Sequence, residues 1–304
     1  MNSLKRLRTA LALSILLSAA AFALPLPPRL PPVGAYSAGI GFTSVAAFDD
    51  PSIIYWNPSA LAMMNQMTAQ LNLAAYTNAR PTSWSALVVG ASSRNDRAFG
   101  IGLIRRRSTN WAGEYTSVEL ISPMAFVSKE RRYPAGFSFK LQSENYGAKW
   151  VYGFRMDGAI SVVSRDEDFK VAFSTQNVIG GRLRAFPHES WAGVSLGNDT
   201  ASLRFTLQCR FDRPFDKEYI SQNYSAGFRM RQTEGPFEAR GGLIRSGGVV
   251  RYATGFGYYN RLNQMRLDSA VIFDPENGDD RTYYMTIGYS VGPGSPSQIG
   301  KPTW

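Results

Sequence analysis

Leu203-Arg204-Phe205-Thr206-Leu207-Gln208-Cys209-Arg210-Phe211 decides the reading of this chain. Apolar residues stand at every odd position and polar or charged residues at every even one, the period of an extended strand with two unlike faces. Tyr224, Ala226, Phe228 and Met230 oppose Ser225, Gly227, Arg229 and Arg231 in the same way. Tyr283, Met285, Ile287 and Tyr289 likewise oppose Tyr284, Thr286, Gly288 and Ser290. Working outward, the period stays at two from Met67 to Val291 and predicts about fourteen strands. They fall near 67–76, 83–92, 97–106, 114–127, 133–145, 150–163, 168–177, 188–196, 200–211, 219–231, 235–244, 249–259, 264–273 and 281–291.

The 304 residues are 44% hydrophobic and 18% charged, which excludes disorder over most of the length. Aromatic residues at 13% and 28 glycines suit many strands and tight turns. The single cysteine, Cys209, and the single histidine, His188, exclude a disulfide scaffold and a metal site built from several thiols or imidazoles. No cofactor is expected.

The first 23 residues read as a secretory signal peptide. Lys5, Arg6 and Arg8 precede the apolar run Ala10 to Leu17, and Ala21-Phe22-Ala23 supplies the cleavage site. The alternative is an uncleaved anchor, for which the apolar run falls short of the ~20 residues of a spanning helix. Residues 24–33 are a proline-rich linker. Small residues and Gly39 and Gly41 follow, able to lie close against other backbone. Two helix starts come next: Asp50 as N-cap with Pro51 behind it, after Asp49, and Asn57 with Pro58. Losing Lys5, Arg6 and Arg8 lowers the formal charge from +10 to +7. An exported basic chain meets anionic lipid headgroups and lipopolysaccharide, and nucleic acid is not an expected partner.

A long two-residue period in an exported chain is the requirement of a transmembrane β-barrel, apolar toward lipid and polar toward the lumen. A soluble β-sandwich shows the same alternation with the apolar face inward. Most strands reach the ~9–11 residues that cross a bilayer, whereas strands of soluble proteins centre on about five or six. Connections after even-numbered strands read as tight, and those after odd-numbered ones as longer, notably 178–187, 212–218 and 274–280. In a barrel Arg204, Arg210, Arg229, Arg231, Arg240, Arg251 and Arg266 face the lumen, because an arginine in mid-bilayer lipid costs about 2–4 kcal/mol. Glu238 and Asp268 share that face and pair with some of them. The set reads either as ion pairs that hold the barrel's shape or as a cationic surplus that attracts an anionic solute.

Gly193-Val194-Ser195-Leu196-Gly197 matches the G-x-S-x-G nucleophile elbow. That motif needs a strand-to-helix turn and a later histidine, and His188 precedes it, so no enzyme is expected. Asp166, Glu167 and Asp168 read as a solvated turn, and Cys209 as an inert lipid-facing residue.

Ala35 to Gly39, then Ala46-Ala47-Phe48-Asp49-Asp50-Pro51, then Ile54-Tyr55-Trp56-Asn57-Pro58-Ser59-Ala60-Leu61-Ala62, resembles the N-terminal signature of the FadL-like outer-membrane proteins. Ser59-Ala60 stands where the family usually has Ala-Gly. Gly227 to Glu234, Glu238 to Gly242, Thr254 to Gly257 and Leu267-Asp268 resemble its PorV/PorQ branch. The resemblance implies a fourteen-stranded antiparallel barrel over 67–291, with residues 34–66 folded inside as a hatch. Asp49, Asp50, Pro51, Asn57 and Pro58 are then hatch residues, and 292–304 is a tail. It further implies passive passage of small hydrophobic or amphipathic molecules, or, as in PorV/PorQ proteins, partnership with a secretion or cell-surface attachment machine. Tyr289 or Trp304 is the assembly-signal aromatic.

Overall fold

The computed structural model describes residues 33–291 except 49, 65–66, 77–81, 92–96, 111–112, 128–131, 147–148, 181–187, 198–201, 213–220, 233–234, 247, 261–263 and 276–280. The expected signal peptide, the linker up to residue 32, Asp49 and the tail 292–304 with Trp304 lie outside the described residues.

Fourteen strands make one closed antiparallel barrel. They are β1 Met67–Tyr76, β2 Thr82–Ala91, β3 Arg97–Asn110, β4 Gly113–Phe126, β5 Ala135–Tyr146, β6 Lys149–Val163 and β7 Phe169–Gly180. The second half holds β8 Glu189–Leu196, β9 Leu203–Asp212, β10 Ser221–Arg231, β11 Phe237–Ser246, β12 Val249–Asn260, β13 Met265–Phe273 and β14 Arg281–Val291. Each strand pairs with its sequence neighbours, and β1 pairs with β14 from Met67 opposite Val291 to Tyr76 opposite Thr282. The all-β barrel expected from the two-residue period is the fold observed. Met67 and Val291 mark the near end of the barrel; the other is the far end.

The alternation also sorts the faces as expected of a membrane barrel. Phe99, Ile101, Leu103, Phe205, Met285 and Ile287 are exposed on the outside. Arg106, Arg204, Arg229 and Thr286 are buried on the inside. The inside is therefore the polar face, the reverse of a soluble sandwich.

The alternation of tight and long connections holds only in part: the three expected to be long have eight, eight and seven residues, after β7, β9 and β13. Only two residues separate β3 from β4, β5 from β6 and β11 from β12 at the far end, while eight separate β4 from β5 at the near end. Continued backbone pairing is the reason: β3 runs on through Arg105-Arg106-Arg107 and pairs with β4 up to Asn110 opposite Gly113. Residues that read as loop are drawn into the ladder.

Inside the barrel, residues 33–64 form a hatch of four short turns: helical Ala35–Gly39 and Ile53–Trp56, and 3-10 Ser44–Ala46 and Pro58–Met63. Asn57 caps the last of these, its Oδ1 accepting the Ser59 N–H at 2.9 Å, with Pro58 in the first position. The other start falls later than expected, with Ser52 as N-cap. Asp50 instead closes the preceding turn, its Oδ1 accepting the Ser52 N–H at 2.7 Å. The helical turn at Ala35–Gly39 was not expected from its small residues, and its neighbours explain it. Gly39 lies on Gly255 of β12, Gly41 on Gly242 of β11, and the Ile40 carbonyl sits over Gly227 of β10. Three bare glycines on adjacent strands leave the wall smooth enough for hatch backbone to touch it.

Gly242→Val or Gly227→Val is expected to leave the barrel folded, read as heat-modifiable migration in detergent gels, while undocking the hatch. Proteolysis within 33–64 should then become at least tenfold faster than in the wild-type protein.

Candidate functional site

Two charge networks line the lumen, and a hatch tyrosine is set into each. Toward the near end Arg204, Arg229 and Arg240 stand side by side on β9, β10 and β11. Arg240 Nε donates to Glu238 Oε1 at 2.6 Å, and its guanidinium reaches across β12 to Asp268 of β13. That reach needs Gly257, since any side chain there would meet both partners. Arg266 Nε donates to the other Asp268 oxygen at 2.6 Å, and Arg266 also faces Asp50 of the hatch at 3.8 Å. Tyr36 is fully buried among these groups. The guanidinium carbons of Arg240, Arg266 and Arg204 lie 4.4, 5.0 and 5.9 Å from its ring centre, and Arg204 donates to its hydroxyl. Cations over an aromatic face are attracted by its quadrupole, more strongly when desolvated. Burial pushes the Asp50 carboxyl above its ordinary range, against the opposing pull of Arg266.

The second network lies in β3 to β6. Glu119 accepts from Arg106 at 3.3 Å and from Gln142 at 2.9 Å, and faces Lys140 at 3.7 Å. Lys140 pairs with Asp157 at 2.6 Å. Asp157 also accepts the Asn177 N–H at 2.9 Å, beside a register shift between β6 and β7. Tyr55 of the hatch lies under Arg106 and Lys140, 5.2 and 4.9 Å from its ring centre, and its carbonyl accepts from Gln176. Charges removed from water this fully persist only with partners, and here barrel and hatch supply them jointly.

The lumenal residues named from the sequence do not form one network. Arg204, Arg229, Arg240, Arg266, Glu238 and Asp268 come together, and Arg231 lines a cavity beside them. Arg210 lies apart, 5.2 Å from the Trp191 ring centre, and Arg251 pairs with Asp274 at 3.5 Å at the far end. Strand tilt and length set this: equal parity gives a shared face, not a shared height. The second network was missed although its signal was present, since Arg106, Glu119, Lys140 and Asp157 all fall on the inward parity of their strands. Among the hatch residues, Asn57 Nδ2 donates to the Val45 carbonyl at 2.7 Å and to Ser161 at 3.1 Å, and Pro58 packs on Gly136. Ser195 sits inside β8 opposite Thr206, with His188 beyond the other end of that strand, 2.8 Å from Thr175.

Packing is tight around the hatch. The cavity at Arg231, Glu238, Arg240, Arg266 and Asp268 holds about 20 Å³, and another beside Val33, Asn72 and Tyr284 about 10 Å³, room for a water or two.

A closed even-stranded barrel, apolar outside and filled inside by its own N-terminal segment, is an outer-membrane-type barrel of the FadL-like fold. No protein-family model matches the sequence, and no curated protein matches it. Among solved structures it is similar to the Ralstonia pickettii toluene transporter TbuX, with a TM-score of 0.66 and 14% identity over 86% of this chain and 98% of that one. It is also similar to a deltaS2S3 mutant of the TodX monoaromatic hydrocarbon channel, with a TM-score of 0.62 and 11% identity over 85% of this chain and 98% of that one. At these identities the likeness is one of fold.

Tyr36→Phe, which removes only the acceptor of the Arg204 hydrogen bond, is expected to weaken hatch docking by about 1.5–3 kcal/mol. Tyr36→Ala, which also removes the ring, should cost about 3–5 kcal/mol. Hydrogen exchange of the hatch amides in detergent measures both, and barrel amides should stay protected.

Proposed function

We propose that this protein is exported by its signal peptide to the outer membrane and passes small hydrophobic or amphipathic molecules passively toward the periplasm. The lumen is closed at rest by the hatch, so passage requires the hatch to shift. The carrying observation is how the hatch is held. Apolar clusters around Leu61 and Phe48 and polar contacts at Tyr36, Asp50, Tyr55 and Asn57 seat it on the wall, all of them non-covalent contacts between a separate N-terminal segment and the barrel. The fold shared with a toluene transporter and a monoaromatic hydrocarbon channel supports the same reading. In this reading Met67 and Val291 stand at the periplasmic end, and the lipid-facing residues of the far end meet lipopolysaccharide.

A second reading has its own support. The lumen is so well filled that a permanently plugged barrel, acting as a PorV/PorQ-like partner in type IX-like secretion or surface attachment, fits the packing.

Liposome uptake of a labelled fatty acid and single-channel conductance of the refolded mature chain separate the two. Transport predicts uptake by the intact protein, changed when residues 34–66 are deleted. A silent intact barrel whose deletion variant alone conducts would make the hatch a permanent plug and favour the partner reading.

A further inference from the structure

The near-end network holds more cations than carboxylates. Among the described residues Arg204, Arg229, Arg231, Arg240 and Arg266 stand against Asp50, Glu238 and Asp268, five guanidinium groups for three carboxylates. In a lumen shielded from water such a surplus has a cost that only another negative charge offsets fully.

Arg240 shows where the surplus is felt. Its side chain is 1% exposed, its Nε is taken by Glu238 and its Nη2 by Asp268, and its Nη1 is buried with no hydrogen-bond partner among the described residues. The Tyr36 ring beside the guanidinium attracts the charge. That attraction does not replace an acceptor for the remaining N–H, and a buried charged donor left unmet costs its desolvation.

The cavity of about 20 Å³ lies against this same side chain. Arg231, Arg240, Arg266 and Tyr259 line it with Glu238 and Asp268, and both carboxylates already accept from Arg240 or Arg266. Three guanidinium groups therefore meet two engaged carboxylates around one small space. Arg231 ends β10, Pro236 precedes β11 and Tyr258 stands near the end of β12, so the space lies at the near-end rim. It is of water size and too small for an organic acid. A water would meet the free donor but bring no charge, whereas a monatomic anion does both.

We propose that this cavity binds a chloride ion, held by Arg240 Nη1 and the Arg231 guanidinium, and that the ion steadies the seat of the hatch. The link to the hatch is direct: Arg240 and Arg266 both flank Tyr36, and Arg266 faces Asp50. The site is the same whether the hatch shifts in transport or stays as a plug.

Chloride NMR linewidths of the refolded mature protein, first exchanged into sodium gluconate, test it. Added chloride should show saturable broadening that bromide displaces. Arg231→Gln should weaken binding at least tenfold, and Arg251→Gln, at the far end, should leave it unchanged. At equal ionic strength, proteolysis within residues 33–64 should be at least threefold slower in chloride than in gluconate, a difference that Arg231→Gln abolishes. Arg240→Gln removes the free donor and a Tyr36 contact together, so it is read by the ion alone, and its broadening should be absent whether or not the hatch stays docked. No saturable broadening, which means that water alone fills the cavity, overturns the proposal. So does broadening that survives Arg231→Gln or Arg240→Gln or is lost with Arg251→Gln, and so does equal proteolysis in chloride and gluconate.

Discussion

The seam between β1 and β14 is the interaction on which the rest depends. Hydrocarbon offers no partner to a backbone N–H or C=O, so a sheet in a bilayer must have no edge. Pairing from Met67–Val291 to Tyr76–Thr282 removes the two edges that fourteen strands would otherwise present. Closure at that strand number has a consequence: the lumen is too wide for wall side chains alone to fill. The chain fills it with its own residues 33–64.

The charges on the inner wall impose a second requirement. Arg106, Lys140, Arg204, Arg229 and Arg240 are all buried on the inner wall, and each buried charge must find a partner. The wall supplies Glu119, Asp157, Glu238 and Asp268, and the hatch adds the faces of Tyr36 and Tyr55. Hatch and barrel therefore stabilise one another. Elsewhere Ile54, Leu61 and Met64 pack on Leu87, Ile104 and Ile121, Phe48 and Ile53 fall in a cluster with Val163 and Trp191, and at Gly227, Gly242 and Gly255 backbone rests directly on backbone. The hatch is thus held by charge at Tyr36 and Tyr55, by apolar packing around Leu61 and Phe48, and by close backbone contact at the glycines.

Much of this was legible in the residues. Leu203 to Phe211 alternates so cleanly that a strand with two unlike faces follows from it, and the same period yields all fourteen strands. Asn57-Pro58 announced a capped turn, and Asn57 caps one. Less was legible where a short pattern had to be placed in three dimensions. Arg204 and Arg210 share a face of β9, yet one lies over Tyr36 and the other over Trp191, because they stand six positions apart along the strand. The Arg106–Glu119–Lys140–Asp157 network was hidden because its members come from four different strands, and only their register brings them together.

The sequence by itself determined about fourteen strands and the two unlike faces of each, because the two-residue period is local and a one-residue slip would exchange the faces; that the strands close into a barrel with the apolar face outward is decided by the pairing around the sheet. Tertiary structure alone decided how the lumen is used. The height at which each inward charge stands, the glycine wall under Ile40 and Gly41, and the ring system of Phe42, Tyr55, Trp56 and Trp191 all depend on how closure registers distant strands around one buried segment. No periodicity in the chain encodes that register.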